Sequence, residues 1–198
     1  MTWTLEEIAK ITNGAAVGRA PAVSRVTTDT RSVVPGDLFV ALRGEHFDGH
    51  DFLASAMAGG AAAVVVDGPA DVEPRIEVPD TLLALRLLAA DRRRALAGAR
   101  AVGITGSTGK TSCKDLLASA LGVGTWASPK SFNNEIGVPL TVLSAPVGTD
   151  VLVVEVGSRG LGHIRDLIDV VLPDVAVITS IGASHLAPLG DVDTVRLA

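Results

Sequence analysis

The sequence predicts an α/β protein, a small α/β domain followed by part of a parallel-sheet domain built around a phosphate-binding loop. Three observations predict this. An apolar strand, Ala101 to Thr105, runs into the Gly-rich turn Thr105-Gly106-Ser107-Thr108-Gly109-Lys110-Thr111, and a helical pattern from Ser112 to Leu121 leaves it. Two later runs, Val151 to Val156 and Val175 to Thr179, are apolar without alternation, as strands covered on both faces are. A helical pattern from His163 to Val171 separates them, and strand, helix, strand in that order is a parallel sheet with right-handed crossovers.

The first half has its own alternation. Thr4 is a helix N-cap with Glu7 at the capping-box spacing, and the helix runs to Thr12 with Gly14 as its stop. Short extended pieces follow. Pro35-Gly36-Asp37 is a turn before a strand, Leu38 to Leu42. Gly49-His50-Asp51 opens a helix through Met57, closed by Gly59-Gly60, and Ala63 to Val66 is a second strand. Asp80 caps a long helix, Thr81 to Ala97. The domain boundary falls near Gly98, giving domains 1–98 and 99–198.

Composition narrows the function. With 47% hydrophobic and 20% charged residues the chain has the balance of a globular protein. The net charge is −5 and aromatics are only 3%, so little would neutralise phosphodiesters or stack on bases, and nucleic acid is excluded as the expected partner. Arg92-Arg93-Arg94 is the only dense positive cluster and reads as a solvated helix face. The single cysteine, Cys113, forbids a disulfide within the chain and reads as an inert core thiol. No apolar run approaches the ~18 residues of a membrane span. The N-terminus is acidic where a signal peptide is basic, so a cytoplasmic protein is expected. The chain stops at Arg196-Leu197-Ala198 in what reads as the start of a helix, which suggests a piece of something longer.

The loop carries the chemistry. Strand, Gly-rich turn and helix aim backbone N–H groups and a helix N-terminus at phosphates, so Thr105, Gly106, Ser107, Thr108 and Gly109 form an ATP cradle. Lys110 places a point charge against the β- and γ-phosphates and Thr111 offers a hydroxyl to Mg²⁺. The general pattern wants glycine where this chain has Ile104. Glu155, at the end of a strand in the same sheet, can reach a phosphate-bound Mg²⁺, or it is an ordinary strand-end carboxylate. His185 lies beyond the strand ending at Thr179, where a lone loop histidine is more often structural or merely solvated than a metal or phosphate ligand. Asn133-Asn134 opens a helix, and asparagines serve turns without any ligand. His46 and His50 stand four apart, but Asp48-Gly49 between them argues for a turn rather than a metal-binding helix.

Taken together these stretches resemble the Mur ligases, which build the peptide of bacterial cell-wall precursors, and the resemblance covers essentially the whole chain. Thr28-Asp29-Thr30-Arg31, Pro35 to Leu42, Gly44 and Phe47 to Phe52 resemble the family's UDP-substrate domain. Gly103 to Thr111 is similar to its ATP loop, including the absent early glycine. Phe132 to Leu140, Glu155-Val156-Gly157-Ser158-Arg159-Gly160 and Gly162-His163-Ile164 resemble the members that add D-alanyl-D-alanine to UDP-MurNAc-tripeptide.

The resemblance implies an ATP-dependent ligase with an acyl-phosphate intermediate. Lys110 and His185 would be catalytic, and Thr111, Glu155 and His185 would hold Mg²⁺. Thr30, Asn133 and Asn134 would contact substrate or nucleotide. A monomer in the bacterial cytoplasm is expected. Where the family has glutamate two residues after its histidine, this chain has Ala187. The family's carbamylated lysine would fall just past Ala198, and its C-terminal domain is absent, so the 198-residue chain alone is expected to be inactive. The alternatives are a ligase adding a diamino acid, a nucleotide-dependent binding module, and a degenerate, non-catalytic homologue. A GTPase would carry an Asn-Lys-x-Asp stretch, and none is present.

Overall fold

The structure is a computed structural model that describes residues 2–158 and 160–182. Contacts divide the chain into two compact units, Met1–Asp91 and Arg92–Ala198.

The first unit begins with α1, Leu5–Thr12. Its N-terminus is the expected capping box: Glu7 N–H donates to Thr4 Oγ1 at 3.2 Å, and Thr4 N–H donates to Glu7 Oε2 at 2.8 Å. Two of the helix's otherwise unpaired N–H donors are satisfied this way. Asn13, left-handed at φ 53°, ends it. Five strands follow: β1 (Ala15–Val17), β2 (Arg25–Thr27), β3 (Asp37–Val40), β4 (Ala63–Val66) and β5 (Arg75–Glu77). They form one sheet in the order β1-β5-β4-β3-β2, parallel except for β1 against β5. Every residue of β3 and β4 is buried, which is why, after Asp37, their sequences are apolar without alternation. A 3-10 turn, Gly49–Phe52, leads into α2, Leu53–Ala58. Leu53 and Ala56 of α2 close the core over Phe39, Val64 and Val66.

The buried charge of this unit is Asp37, with a fully inaccessible carboxylate. It pairs with Arg25 and accepts the Val34 N–H at 2.8 Å, so the strand opens on a satisfied turn. Strands β1, β2 and β5 have only three residues each, too few for a periodicity to register, and the sequence shows them only as extended pieces.

Helix α3 spans Thr81–Ala95, and Asp80 caps it by accepting the Leu83 N–H at 2.9 Å. The triple arginine of its last turn corrects the expectation of a solvated face. Arg92 and Arg93 are 5% and 7% exposed. Arg92 donates to the Ala145 carbonyl. Arg93 donates to the carbonyls of Val171 (2.8 Å), Leu96 (3.1 Å) and Leu172 (3.2 Å) and lies 3.4 Å from Asp174. A guanidinium's planar fork suits such carbonyl clusters, and a cation belongs at a helix C-terminus. These bonds tie the end of α3 to the second unit, so the contact boundary falls inside the helix rather than at Gly98.

The second unit is a four-stranded, all-parallel sheet in the order β7-β8-β6-β9, from β6 (Arg100–Thr105), β7 (Thr125–Ala127), β8 (Val151–Glu155) and β9 (Val175–Ile178). Helices α4 (Lys110–Leu121), α5 (Gly137–Leu143) and α6 (His163–Val171) connect them. Because the strands are parallel, Thr105, Glu155 and Ile178 arrive at one edge, with Ile104 level with Glu155 and Thr105 level with Ile178. Strand β8 is buried as expected. Strand β9 is not: Val175 and Ile178 are 46% and 63% exposed. Among the described residues β9 pairs on one side only, with β6. An apolar run identifies a strand but not its place in the sheet.

Candidate functional site

The turn between β6 and α4 needs backbone that side chains disfavour. Gly106 has φ 134° and Gly109, the N-cap of α4, has φ 82°. A Cβ at Gly106 would lie 2.3 Å from Thr179 Oγ1 and 2.9 Å from the Ser180 backbone. Residues just past β9 grip the loop from that side. Thr179 Oγ1 donates to the carbonyls of Thr108 (2.6 Å) and Thr105 (3.1 Å), Ser180 Oγ accepts the Thr108 N–H at 3.0 Å, and Ser107 N–H donates to the Ser180 carbonyl at 2.9 Å. No side chain caps α4, so its first N–H groups face outward beside the loop, as an anion site requires.

Lys110 and Thr111 occupy the first turn of α4. Lys110 Nζ folds over the loop and donates to the Gly106 carbonyl at 2.6 Å. Thr111 Oγ1 donates to Glu155 Oε2 at 2.9 Å. The other oxygen, Glu155 Oε1, accepts from Asn133 Nδ2 at 2.7 Å. Glu155 is 1% exposed, so its two hydrogen bonds are what allow the carboxylate to be buried. Its backbone N–H donates to Ser128 Oγ at 3.0 Å, which holds the end of β8. These groups border a cavity of ≈390 Å³ between the loop and the segment carrying Ser131 and Asn133.

Of the residues singled out from sequence, Thr105 to Thr111, Asn133 and Glu155 come together at this one strand edge. Asn134 is used differently: its Oδ1 accepts the N–H groups of Gly137 (2.8 Å) and Ile136 (3.3 Å) and so opens α5. Glu135 next to it lies 3.5 Å from His163 at the start of α6. Thr30 is in the first unit, where it begins the 3-10 turn Thr30–Ser32 behind the cap Asp29. His185 lies outside the described residues.

His50 serves the first unit's architecture. Its Nε2 accepts the Asp67 N–H at 3.2 Å, which leaves the proton on Nδ1 to donate to Asp48 Oδ1 at 2.6 Å. Asp48 also pairs with Arg43, and Arg43 with Asp67 at 3.0 Å. Asp48's carboxyl is held below the usual carboxylate range, chiefly by the His50 backbone N–H it accepts and further by the His50 side chain and Arg43. Among the described residues no group of three or more acidic, His or Cys side chains could hold a metal. Cys113 is half-buried on α4.

Sequence reasoning missed Ser128, Ser131, Thr179 and Ser180. Only the last two carried a signal, their place at the C-terminal end of a parallel strand, where α/β sites form.

A family profile described as the Mur ligase middle domain matches residues 104–198, and one described as the Mur ligase family catalytic domain matches residues 22–105. The chain belongs to the Mur ligase family. It is 41% identical to the UDP-N-acetylmuramoyl-tripeptide–D-alanyl-D-alanine ligase of Escherichia coli (strain K12) over 98% of this chain and 44% of that protein. Its fold superposes on a crystal structure of MurF from Acinetobacter baumannii with a TM-score of 0.93 and 34% identity, covering all of this chain and 45% of that one. A MurF ligase from Thermotoga maritima in complex with ADP matches with a TM-score of 0.80 and 31% identity, over 88% of this chain and 41% of its own. The chain therefore spans less than half the length of these Mur ligases. With Ile104 at the early position of the loop, the turn takes its positive φ angles at Gly106 and Gly109. No described helix is long and apolar enough to cross a membrane.

Proposed function

We propose that this chain is the UDP-substrate- and ATP-binding half of a ligase that adds D-alanyl-D-alanine to UDP-MurNAc-tripeptide in peptidoglycan precursor synthesis. The observation that carries the reading is the linkage of Thr111 and Asn133 through the two oxygens of the buried Glu155, on the wall of the phosphate-loop cavity. It joins the ATP loop to the Phe132–Leu140 stretch that distinguishes this branch of the family.

The nucleotide's β- and γ-phosphates lie against the N–H groups of the loop and of the first turn of α4. Lys110 exchanges the Gly106 carbonyl for phosphate oxygen and neutralises charge on the phosphoryl group in transfer. The terminal carboxylate of the tripeptide attacks the γ-phosphorus, ADP leaves, and the amine of D-alanyl-D-alanine attacks the resulting acyl phosphate, releasing phosphate as the amide forms.

The donor set at the cavity suits Mg²⁺. A neutral hydroxyl and a carboxylate stand 2.9 Å apart, both hard oxygen ligands, and one or two carboxylates beside nucleotide phosphates are what this ion takes. Thr111 and Glu155 would hold it, and when bound it would supply charge neutralisation at the nucleotide's phosphates. Asn133 keeps Glu155 oriented. Asn134, whose oxygen is committed to α5, would meet ligand through its amide nitrogen. His185 would act near the acyl phosphate, and Thr30 near the uridine diphosphate end in the first unit.

The test is amine specificity in the full-length protein. With ATP and UDP-MurNAc-tripeptide, phosphate release should require D-alanyl-D-alanine. Release driven instead by a diamino acid with the dipeptide precursor would reassign the enzyme within the family, and no release with any amine would mark a non-catalytic homologue.

A further inference from the structure

Lys114 is the most deeply buried cation among the described residues of the second unit, at 2% exposure, and no step above uses it. It sits one helical turn beyond Lys110 and Thr111 on α4, three and four residues on, and so shares their face of the helix. That placement is unfavourable in itself. An ammonium near a helix N-terminus opposes the helix dipole, and burial strips its water. An ammonium survives there only with its donors satisfied, and it has three. Lys114 Nζ donates to the Ser128 carbonyl at 2.9 Å and the Lys130 carbonyl at 2.8 Å, and lies 3.1 Å from Asp115 Oδ1.

The two carbonyls belong to the turn that leaves β7. Lys130 in that turn has φ 50°, a left-handed conformation that a non-glycine residue holds only when its surroundings impose it. Ser128 in the same turn accepts the Glu155 N–H on its Oγ. The chain then continues to Ser131 and Asn133 on the cavity wall, where Asn133 holds Glu155 Oε1. One buried ammonium thus fastens the segment that orients Glu155 to the helix that carries Lys110 and Thr111.

We propose that Lys114 is a positioning residue. It holds the Ser128–Asn133 segment against α4 so that Asn133 and Glu155 keep the geometry that Mg²⁺-nucleotide needs. The inference rests on the reading of the cavity as the nucleotide site.

The experiment is calorimetric binding of ADP to the full-length protein, with Mg²⁺ and in EDTA, for wild type, Lys114→Met, Asn133→Ala and the double variant. Groups that orient a metal ligand typically matter about tenfold or more for affinity. Lys114→Met should therefore weaken Mg²⁺-dependent binding by about tenfold, leave binding in EDTA and UDP-MurNAc-tripeptide binding unchanged, and add little on top of Asn133→Ala. If Lys114→Met does not fold, Lys114→Gln, which keeps two donors on a shorter arm, is measured the same way. Wild-type affinity in a folded variant, or effects that simply add to those of Asn133→Ala, would overturn the proposal. Absence of nucleotide binding by the wild type would instead overturn the reading of the cavity.

Discussion

Thr111 Oγ1 lies 2.9 Å from Glu155 Oε2, which joins the first turn of the helix leaving the phosphate loop to the end of the neighbouring strand. The two residues are 44 apart in the chain, and the parallel pairing of β6 with β8, which sets Ile104 level with Glu155, brings the helix that follows β6 beside the end of β8. In the full-length protein, Glu155→Gln should weaken Mg²⁺-dependent ADP binding by about tenfold or more. Binding measured in EDTA should be unaffected, since the loop's N–H groups remain. An equal loss in both conditions would mean that Glu155 only supports the fold.

Among the described residues, the Lys110 side chain hydrogen-bonds only the Gly106 carbonyl of its own loop. Lys110→Ala should therefore leave the thermal midpoint close to wild type while lowering amine-dependent phosphate release by about a hundredfold or more. Steady-state phosphate release and a thermal melt on the same preparation check both halves.

Gly106 combines a φ of 134° with a neighbour 2.3 Å from where a Cβ would sit. Gly106→Ala has to push Thr179 and Ser180 off the loop, and backbone held in such a region costs about 1–3 kcal/mol. Denaturant unfolding should show that loss, and ADP affinity should fall with it because the displaced groups are those that hold Ser107 and Thr108.

Arg93 satisfies the last carbonyls of α6 from a buried position. Arg93→Leu keeps much of the packing volume but strands the Val171 and Leu172 carbonyls. It should destabilise the protein by about 2 kcal/mol, read as a lower urea midpoint with an unchanged slope. Arg94→Leu, at the exposed position of the same triplet, should change it little.

The acid limb of stability should carry the mark of Asp48. Its folded carboxyl lies below the unfolded value, chiefly because it accepts the His50 backbone N–H. The unfolded state therefore binds the proton more readily, and the stabilisation is full above about pH 4 and lost as pH falls through the folded pKa. Asp29, held down by the hydrogen bond from Arg31, acts in the same direction. Urea midpoints measured downward from about pH 5 should fall less steeply for Asp48→Asn than for wild type. Parallel curves would remove Asp48 from the account.

What the sequence determined by itself is local. The phosphate loop, the capping box at Thr4 and Glu7, the Asp80 cap, and the bounds of α6 all follow from residues within a few positions of one another, because helices and turns are closed by near neighbours. The candidate site was legible to the same extent: Lys110, Thr111 and Glu155 could each be named as candidates from a strand end or a loop. Only tertiary structure decided how they are used. Asn133 and Asn134 are adjacent and alike in sequence, yet one orients Glu155 across the sheet edge and the other opens its own helix. Arg92 and Arg93 read as a solvated face and are buried, because carbonyls 53 and 78 residues away complete their hydrogen bonds. Charge, exposure and partner are properties of the environment that distant segments create, and the chain's near neighbours carry no record of them.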